Sequence, residues 1–164
     1  MSENEIWKSV RNLLKCSNCL KVKIASGVIK EGKIIAIGFN LCAPKPYSYG
    51  DKLSNCPRME VKTGTNYQLC SCVHSEVMAC LNIRPNRNYA EIAKFAAYEI
   101  NSESEIRSVF NTQELNLLRG SELYLTGHYW VCESCKNFLN AVDIKVIKFD
   151  GVTGENTNSP RQSE

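Results

Sequence analysis

The chain has 164 residues, of which 43% are hydrophobic and 23% are charged, and its formal net charge is +3 at pH 7. These values are typical of one globular domain and exclude wholesale disorder, collagen and a coiled coil. No window approaches the roughly 20 apolar residues that span a bilayer, and the acidic residues 1–5 do not resemble a signal peptide. We therefore expect an intracellular, cytoplasmic protein without a membrane partner. The mild positive charge permits an anionic ligand but does not indicate a polynucleotide partner.

The first predicted elements are a helix and a β-hairpin. Apolar residues recur at helical spacing over residues 3–15, and two β-branched runs, residues 22–29 and 34–39, flank a turn at Glu31-Gly32. Residues 40–71 are rich in proline and cysteine and predict a long loop, which needs something to hold it in place. A metal ion would do so.

The second half of the chain alternates helices and strands. In order, we predict helices over 73–81, 89–100 and 105–118, a strand over 123–126, a helix over 132–141 and a strand over 144–149. This order predicts an α/β fold with helices packed on a central sheet. Residues 1–150 are expected to form a single domain and residues 151–164 a flexible polar tail.

Cysteine is unusually frequent, since the chain has nine. In a reducing compartment such a set indicates metal binding or catalysis more often than disulfide bonds. His74 lies at the start of one predicted helix, and Cys132 and Cys135 lie at the start of another. One imidazole and two thiolates are three ligands for zinc, which leaves the fourth tetrahedral position for a water molecule. The positive end of the helix dipole favours the thiolate form of both cysteines.

Glu76 gives this set of ligands a catalytic interpretation. It lies two residues after His74, within reach of a water on the metal without being a ligand itself. Zinc lowers the pKa of a bound water to about 7, and a carboxylate beside it can move the proton. The alternative is a structural zinc site closed by a fourth cysteine, which would have no use for Glu76.

The pattern His-x-Glu followed by Cys-x-x-Cys resembles the signature of the zinc deaminases. Residues 19–30, 33–40, 56–58 and 69–79 resemble deoxycytidylate (dCMP) deaminases, and the resemblance covers roughly residues 15–150. It implies a cytidine-deaminase-like three-layer α/β/α sandwich around a mixed sheet. The last strand common in relatives is expected to be missing, because the chain stops soon after Phe149.

The resemblance also implies the roles of individual residues. His74, Cys132 and Cys135 would bind the catalytic zinc, and Glu76 would be the proton shuttle. Asn40 would contact the sugar of the nucleotide, although an asparagine after a strand can equally be a turn residue. Two further candidate substrate-binding residues are Ser75 and His128. An ordinary polar contact is an equally good interpretation of the histidine.

A second, structural zinc is implied as well, because several dCMP deaminases carry one in this region. The residues that resemble its ligands are Cys16, Cys19, Cys56 and Cys70. Cys72 is the alternative fourth ligand to Cys16, which we prefer because it forms a Cys-x-x-Cys pair with Cys19. Cys42 and Cys80 are expected to be unligated. Free buried thiols, which behave as small hydrophobic side chains, are the alternative to a metal site.

The chain departs from the family at Val131, where a proline usually precedes the first cysteine, and in a longer segment between Thr126 and Cys132. The implied activity is hydrolytic deamination of a cytosine nucleotide, most closely dCMP to dUMP with release of ammonia, in a homo-oligomer. The alternatives are a deaminase that acts on another base or on a polynucleotide, and a catalytically silent zinc-binding scaffold or regulatory subunit.

Overall fold

The computed structural model describes residues 1–42, 56, 58–62, 65, 70, 72–96 and 101–153. The elements in these residues are α1 (Glu3–Arg11), a 3-10 turn (Leu14–Cys16), β1 (Ala25–Lys30), β2 (Lys33–Phe39), β3 (Leu41–Cys42), β4 (Cys72–Val73), α2 (Ser75–Leu81), α3 (Tyr89–Ala93), α4 (Glu103–Ser108), α5 (Thr112–Leu118), β5 (Glu122–Gly127), α6 (Glu133–Ala141) and β6 (Val146–Thr153). The mixed α/β class predicted from the sequence is confirmed. None of the helices in the described part of the chain combines the length and the apolar content that crossing a bilayer requires.

Four strands form a mixed sheet in the order β2-β1-β5-β6. β1 is antiparallel to both β2 and β5, and β5 is parallel to β6. The predicted hairpin is present, since β1 and β2 are antiparallel neighbours. Glu31 and Gly32 between them both have positive φ, as a tight turn between twisted strands requires. β3 and β4 form a separate antiparallel pair.

Helices cover both faces of the four-stranded sheet. Successive side chains of a strand point to opposite faces, and the central strands use both. Ile29 of β1 and Tyr124 of β5 pack with Trp7 on the α1 face, whereas Val28 and Leu125 pack in a larger cluster with residues from α2 to α6. This layering is compatible with a three-layer α/β/α fold.

α2 lies very close to β2, and Gly38 makes this approach possible. A Cβ atom at Gly38 would lie only 2.8 Å from the Cα atom of Ala79, in the middle of α2. Backbone atoms cannot move aside as the end of a long side chain can, so the absence of a side chain at Gly38 sets the distance between β2 and α2. The same helix carries Glu76, so this packing fixes the position of that carboxyl group relative to the sheet.

Several predicted boundaries were wrong. The first helix ends at Arg11 rather than near residue 15, and Val73 belongs to β4 rather than to the following helix. The pattern over 105–118 is two helices, because the Asn111 side chain accepts a hydrogen bond from the Glu114 amide and starts a new one.

The chain end also differs from the prediction. β6 continues to Thr153, so residues 151–153 are part of the sheet rather than of a polar tail. Residues 154–164 of the predicted tail, and 97–100 of the predicted helix 89–100, lie outside the described residues. The rest of that predicted helix forms only α3, which ends at Ala93.

Candidate metal centre

His74, Cys132 and Cys135 meet at the starts of two helices. His74 is the N-cap of α2, and Cys132 is the N-cap of α6. The Nδ1 atom of His74 lies 3.4 Å from the Sγ atom of Cys132 and 3.3 Å from that of Cys135. Ligands on a tetrahedral zinc, with Zn–N and Zn–S bonds of about 2.0 and 2.3 Å, lie about 3.5 Å apart. The structure therefore brings together the three residues that the sequence predicted, at a spacing compatible with zinc.

The two thiols of this group, Cys132 and Cys135, have pKa values shifted in opposite directions. A hydrogen bond from Cys135 lowers the pKa of the Cys132 thiol; burial opposes this, and the neighbouring His74 lowers the pKa further. The pKa of Cys135 is raised, because it donates that hydrogen bond and is also buried. A thiolate is thus already favoured at Cys132, and the thiolate is the form that binds a metal.

Glu76 is buried in the first turn of α2, two residues after His74. Burial raises the pKa of its carboxyl group; a charged His74 lowers it and Cys132 raises it. A carboxyl group with a raised pKa exchanges protons closer to neutral pH than an ordinary glutamate does, which suits a proton shuttle. Glu76 lines the same cavity as His74 and Cys132.

Ser75 is buried next to Glu76 and donates a hydrogen bond to its carboxyl group. Its hydroxyl is fully buried, lies 2.7 Å from the Ser26 hydroxyl of β1 and donates to the Oε2 atom of Glu76 at 3.2 Å. Ser75 is not among the residues that line the cavity. This position favours a role in orienting Glu76 over the direct substrate contact that we expected.

Asn40 and His128, the other two expected substrate-binding residues, do line the cavity, together with Trp130. The Asn40 amide donates to the Val22 carbonyl at 2.6 Å and accepts from the Ile24 amide at 2.9 Å. The His128 Nδ1 atom lies 3.2 Å from the Trp130 carbonyl oxygen, and the two rings are in contact. Asn40 therefore holds the segment before β1 in place as well as forming part of the cavity wall.

A second group of cysteines lies beside this cavity. Cys19, Cys42 and Cys72 have their sulfurs within 4.8 Å of one another, a spacing compatible with a metal ion, and Cys70 is buried with them. Cys42 faces Cys72 across the β3–β4 pair, and the two are joined as a disulfide. A disulfide and a metal-bound pair of thiolates are alternative states of the same two sulfurs.

The predicted ligands of this second group need correction. Cys42, expected to be unligated, belongs to the group, and so does Cys72, which we ranked below Cys16. Cys16 is exposed and does not belong to it. Cys19 and Cys70 are buried in the cluster. Burial raises the pKa of the Cys19 thiol, and the nearby Cys70 and Cys56 raise it further. The sequence could not indicate Cys42, because its partner lies 30 residues away and both strands have only two residues.

Cys70 connects the two groups. It is buried with the second group of cysteines, and its thiol also hydrogen-bonds His74. The alternative of a site closed by a fourth cysteine thus has a specific candidate, although Cys70 is not among the three ligand atoms that cluster at His74.

No protein-family model matches this chain, and none of the curated proteins matches it. Its functional assignment depends on the site itself.

Proposed function

We propose that this protein is a zinc-dependent deaminase of a cytosine nucleotide, which converts dCMP to dUMP and ammonia in a cytidine-deaminase-like fold. The observation that carries the proposal is the convergence of His74, Cys132 and Cys135 beside a cavity that His74, Cys132 and Glu76 line. Three protein ligands leave one position on zinc for water, and the carboxyl group of Glu76 is the acid–base group that such a site needs. A purely structural site has no need of a buried carboxyl group in its cavity.

Bound zinc would supply a water activated by a lowered pKa. Held by His74, Cys132 and Cys135, the metal would make the water a better nucleophile toward C4 of the cytosine ring, and Glu76 would accept the proton that this water loses. Glu76 then donates that proton to N3 of the ring, and it transfers the second water proton to the amino group at C4. The bond from C4 to that nitrogen breaks, ammonia leaves and uracil remains. Ser75 contributes by keeping the Glu76 carboxyl oriented.

We further propose that Cys19, Cys42 and Cys72 hold a structural zinc, with Cys70 as the fourth ligand. All four are buried together, and thiolates are preferred zinc ligands. The β3–β4 pair carries two of these cysteines and lies next to two residues of the cavity wall. Asn40 immediately precedes β3, and His74 immediately follows β4. A metal at this point would therefore stabilise both walls of the cavity.

The second candidate function is a catalytically silent zinc scaffold, in which Cys70 closes the site at His74. The hydrogen bond between Cys70 and His74 is the observation that favours it. Cys70→Ser separates the two candidates. If Cys70 belongs to the structural site, the variant loses zinc from that site and keeps the zinc at His74; if Cys70 closes the His74 site, zinc there is lost or exchanges faster.

The activity test is ammonia release by the zinc-loaded full chain, with dCMP, dCTP, cytidine and guanine as separate substrates. We expect release from dCMP above all others. Faster release from cytidine or guanine would reassign the substrate. If none of these substrates, nor cytosine within a single-stranded oligonucleotide, releases ammonia while zinc is bound at His74, the deaminase proposal is wrong.

A further inference from the structure

Cys42 and Cys72 lie opposite each other in the β3–β4 pair, and the structure joins them as a disulfide. The other two cysteines of this group, Cys19 and Cys70, are buried thiols outside the disulfide. We infer that Cys42 and Cys72 form a redox-active pair, which a peroxide oxidises to the disulfide and a small thiol reduces again. The inference rests on the proposed structural zinc for one consequence only, the release of that metal on oxidation.

The short β3–β4 pair gains a link between its strands in either redox state. Each strand has only two residues, and a short two-stranded pair is at best marginally stable in water. The disulfide links the strands directly, whereas a metal bound by both sulfurs would link them in the reduced state. The two sulfurs can therefore change their covalent state while β3 and β4 stay paired.

The cavity gives a small oxidant a route to this pair of cysteines. Cys72 lines the cavity together with Cys19 and Cys70, although it is only 4% exposed. Cys42 is 2% exposed and is not among the described residues of the cavity wall. Cys72 is therefore the sulfur that an oxidant in the cavity meets, and Cys42 is the partner that completes the disulfide.

The oxidation balances with hydrogen peroxide as the only co-reactant. The Cys72 thiolate attacks one peroxide oxygen, the O–O bond breaks, and the sulfur becomes a sulfenic acid as water forms. The Cys42 sulfur then attacks the Cys72 sulfur, the S–O bond breaks and a second water leaves. The two thiols lose two electrons, and the peroxide gains them. Two molecules of a small thiol reverse the step by thiol–disulfide exchange and are themselves joined as a disulfide.

Oxidation removes two sulfurs from the group that is proposed to hold a metal. A disulfide sulfur is no longer a thiolate, and the thiolate is the form that binds zinc. Cys19 and Cys70 alone are too few for a four-coordinate structural site. In the reducing compartment that the sequence predicts, disulfides are usually transient and redox-sensing. The pair therefore couples the redox state of its surroundings to the metal content beside the cavity.

The test starts from the reduced, zinc-loaded full chain and adds an equimolar amount of hydrogen peroxide. Unreacted thiols are then alkylated, and mass spectrometry of the digest identifies which cysteines are linked. We expect a link between Cys42 and Cys72, a loss of about one zinc ion per chain, and reversal of both by a thiol reductant and added zinc. Cys16→Ser removes an exposed cysteine outside the group and should give the same result.

The Cys42→Ser variant identifies the sulfur that peroxide attacks. Cys72 should then remain as a sulfenic acid that dimedone traps, or become linked to the nearby Cys19. Either product requires attack at Cys72, so an unmodified Cys72 in this variant would overturn the assignment.

The wild-type protein can also contradict the inference, without any variant that has to fold. The redox pair is wrong if peroxide leaves Cys42 and Cys72 open to alkylation, if it links Cys132 to Cys135 first, or if the disulfide forms while zinc stays bound at this group. If the reduced chain holds no zinc at this group and Cys42 and Cys72 still become linked, the redox pair stands and the structural-zinc proposal fails. None of these measurements depends on ammonia release, so the deaminase proposal is tested separately.

Discussion

At the scale of single residues, Asn40 combines a structural role with a position in the wall of the candidate cavity. Its amide makes hydrogen bonds to the backbone of Val22 and Ile24, and the same side chain faces the candidate cavity. The structural role of Asn40 is therefore compatible with the sugar contact that the resemblance implies, which stays a prediction. The position of Asn40 in the cavity wall was implied by the resemblance to dCMP deaminases, but its hydrogen bonds depend on the fold around it.

Cys42 is the residue at which the structure and the sequence prediction differ most clearly. It is predicted to be unligated, but the structure places it in a group with Cys19 and Cys72. Cys42→Ser should lower the zinc content of the full chain by about one ion, because sulfur is lost from the group of Cys19, Cys42 and Cys72. Cys16→Ser is the matched control and should leave the zinc content unchanged, since Cys16 is exposed and outside the group. Metal analysis of the reduced proteins measures both. Loss of zinc on changing Cys16 instead would restore the prediction made from the Cys-x-x-Cys spacing.

At the scale of elements, a helix cap that the sequence analysis did not use accounts for one error. Ser102 and Asn111 each have a glutamate three residues later, the pattern of a capping box, and both boxes are present. The capping box at Asn111 lies inside residues 105–118, which the sequence predicts as one helix, and it divides them between α4 and α5. The apolar periodicity continued across the break and concealed it.

Glu114 joins α5 to the turn after α2 through a bidentate ion pair with Arg84. Burial raises the pKa of Glu114, but the hydrogen bonds from Arg84 and Asn111 outweigh it, so the pKa is lowered overall. A lowered carboxyl pKa stabilises the fold above the pKa of the unfolded chain and ceases to do so as the pH falls through the folded value. Glu114→Gln keeps the capping box and should lower Tm by about 2 °C at pH 7.

This difference in Tm should shrink as the pH falls below about 4, where the unfolded carboxylate becomes protonated. Thermal unfolding of both proteins between pH 3 and 7, followed by circular dichroism, provides the comparison. A difference that is constant over this range would show that the charge of Glu114 does not stabilise the contact.

The close packing of β2 on α2 predicts that Gly38→Ala destabilises the protein by about 1–3 kcal/mol, as overpacking generally does. The added Cβ would meet the backbone of Ala79, which cannot move without shifting α2. Gly27→Ala is the comparison, because its Cβ would meet two side-chain atoms, Cγ2 of Val10 at 2.9 Å and Cδ1 of Ile29 at 3.4 Å, and no backbone atom nearer than 4.0 Å. Urea unfolding should show the larger loss for Gly38→Ala. Equal losses would mean that α2 can shift freely, and the fixed position of Glu76 would then need another explanation.

At the scale of the whole molecule, different signals in the sequence predicted the class of fold and the primary metal group. Alternating helical and strand patterns indicate an α/β domain. His74 and the Cys132/Cys135 pair lie at the starts of two helices in an order that resembles the zinc-deaminase signature, and the structure brings them together. The second group has no such signal, because β3 and β4 have only two residues each and pair across a long segment.

The most direct test of the central claim is Glu76→Gln in the zinc-loaded protein, with zinc content and ammonia release from dCMP measured on the same sample. The variant should keep the zinc at His74, Cys132 and Cys135, because Glu76 is not in the ligand group, and should lose activity by roughly 10²- to 10⁴-fold, the usual contribution of a general acid–base group. Ammonia release at the wild-type rate, or loss of the zinc along with the carboxylate, would contradict the account.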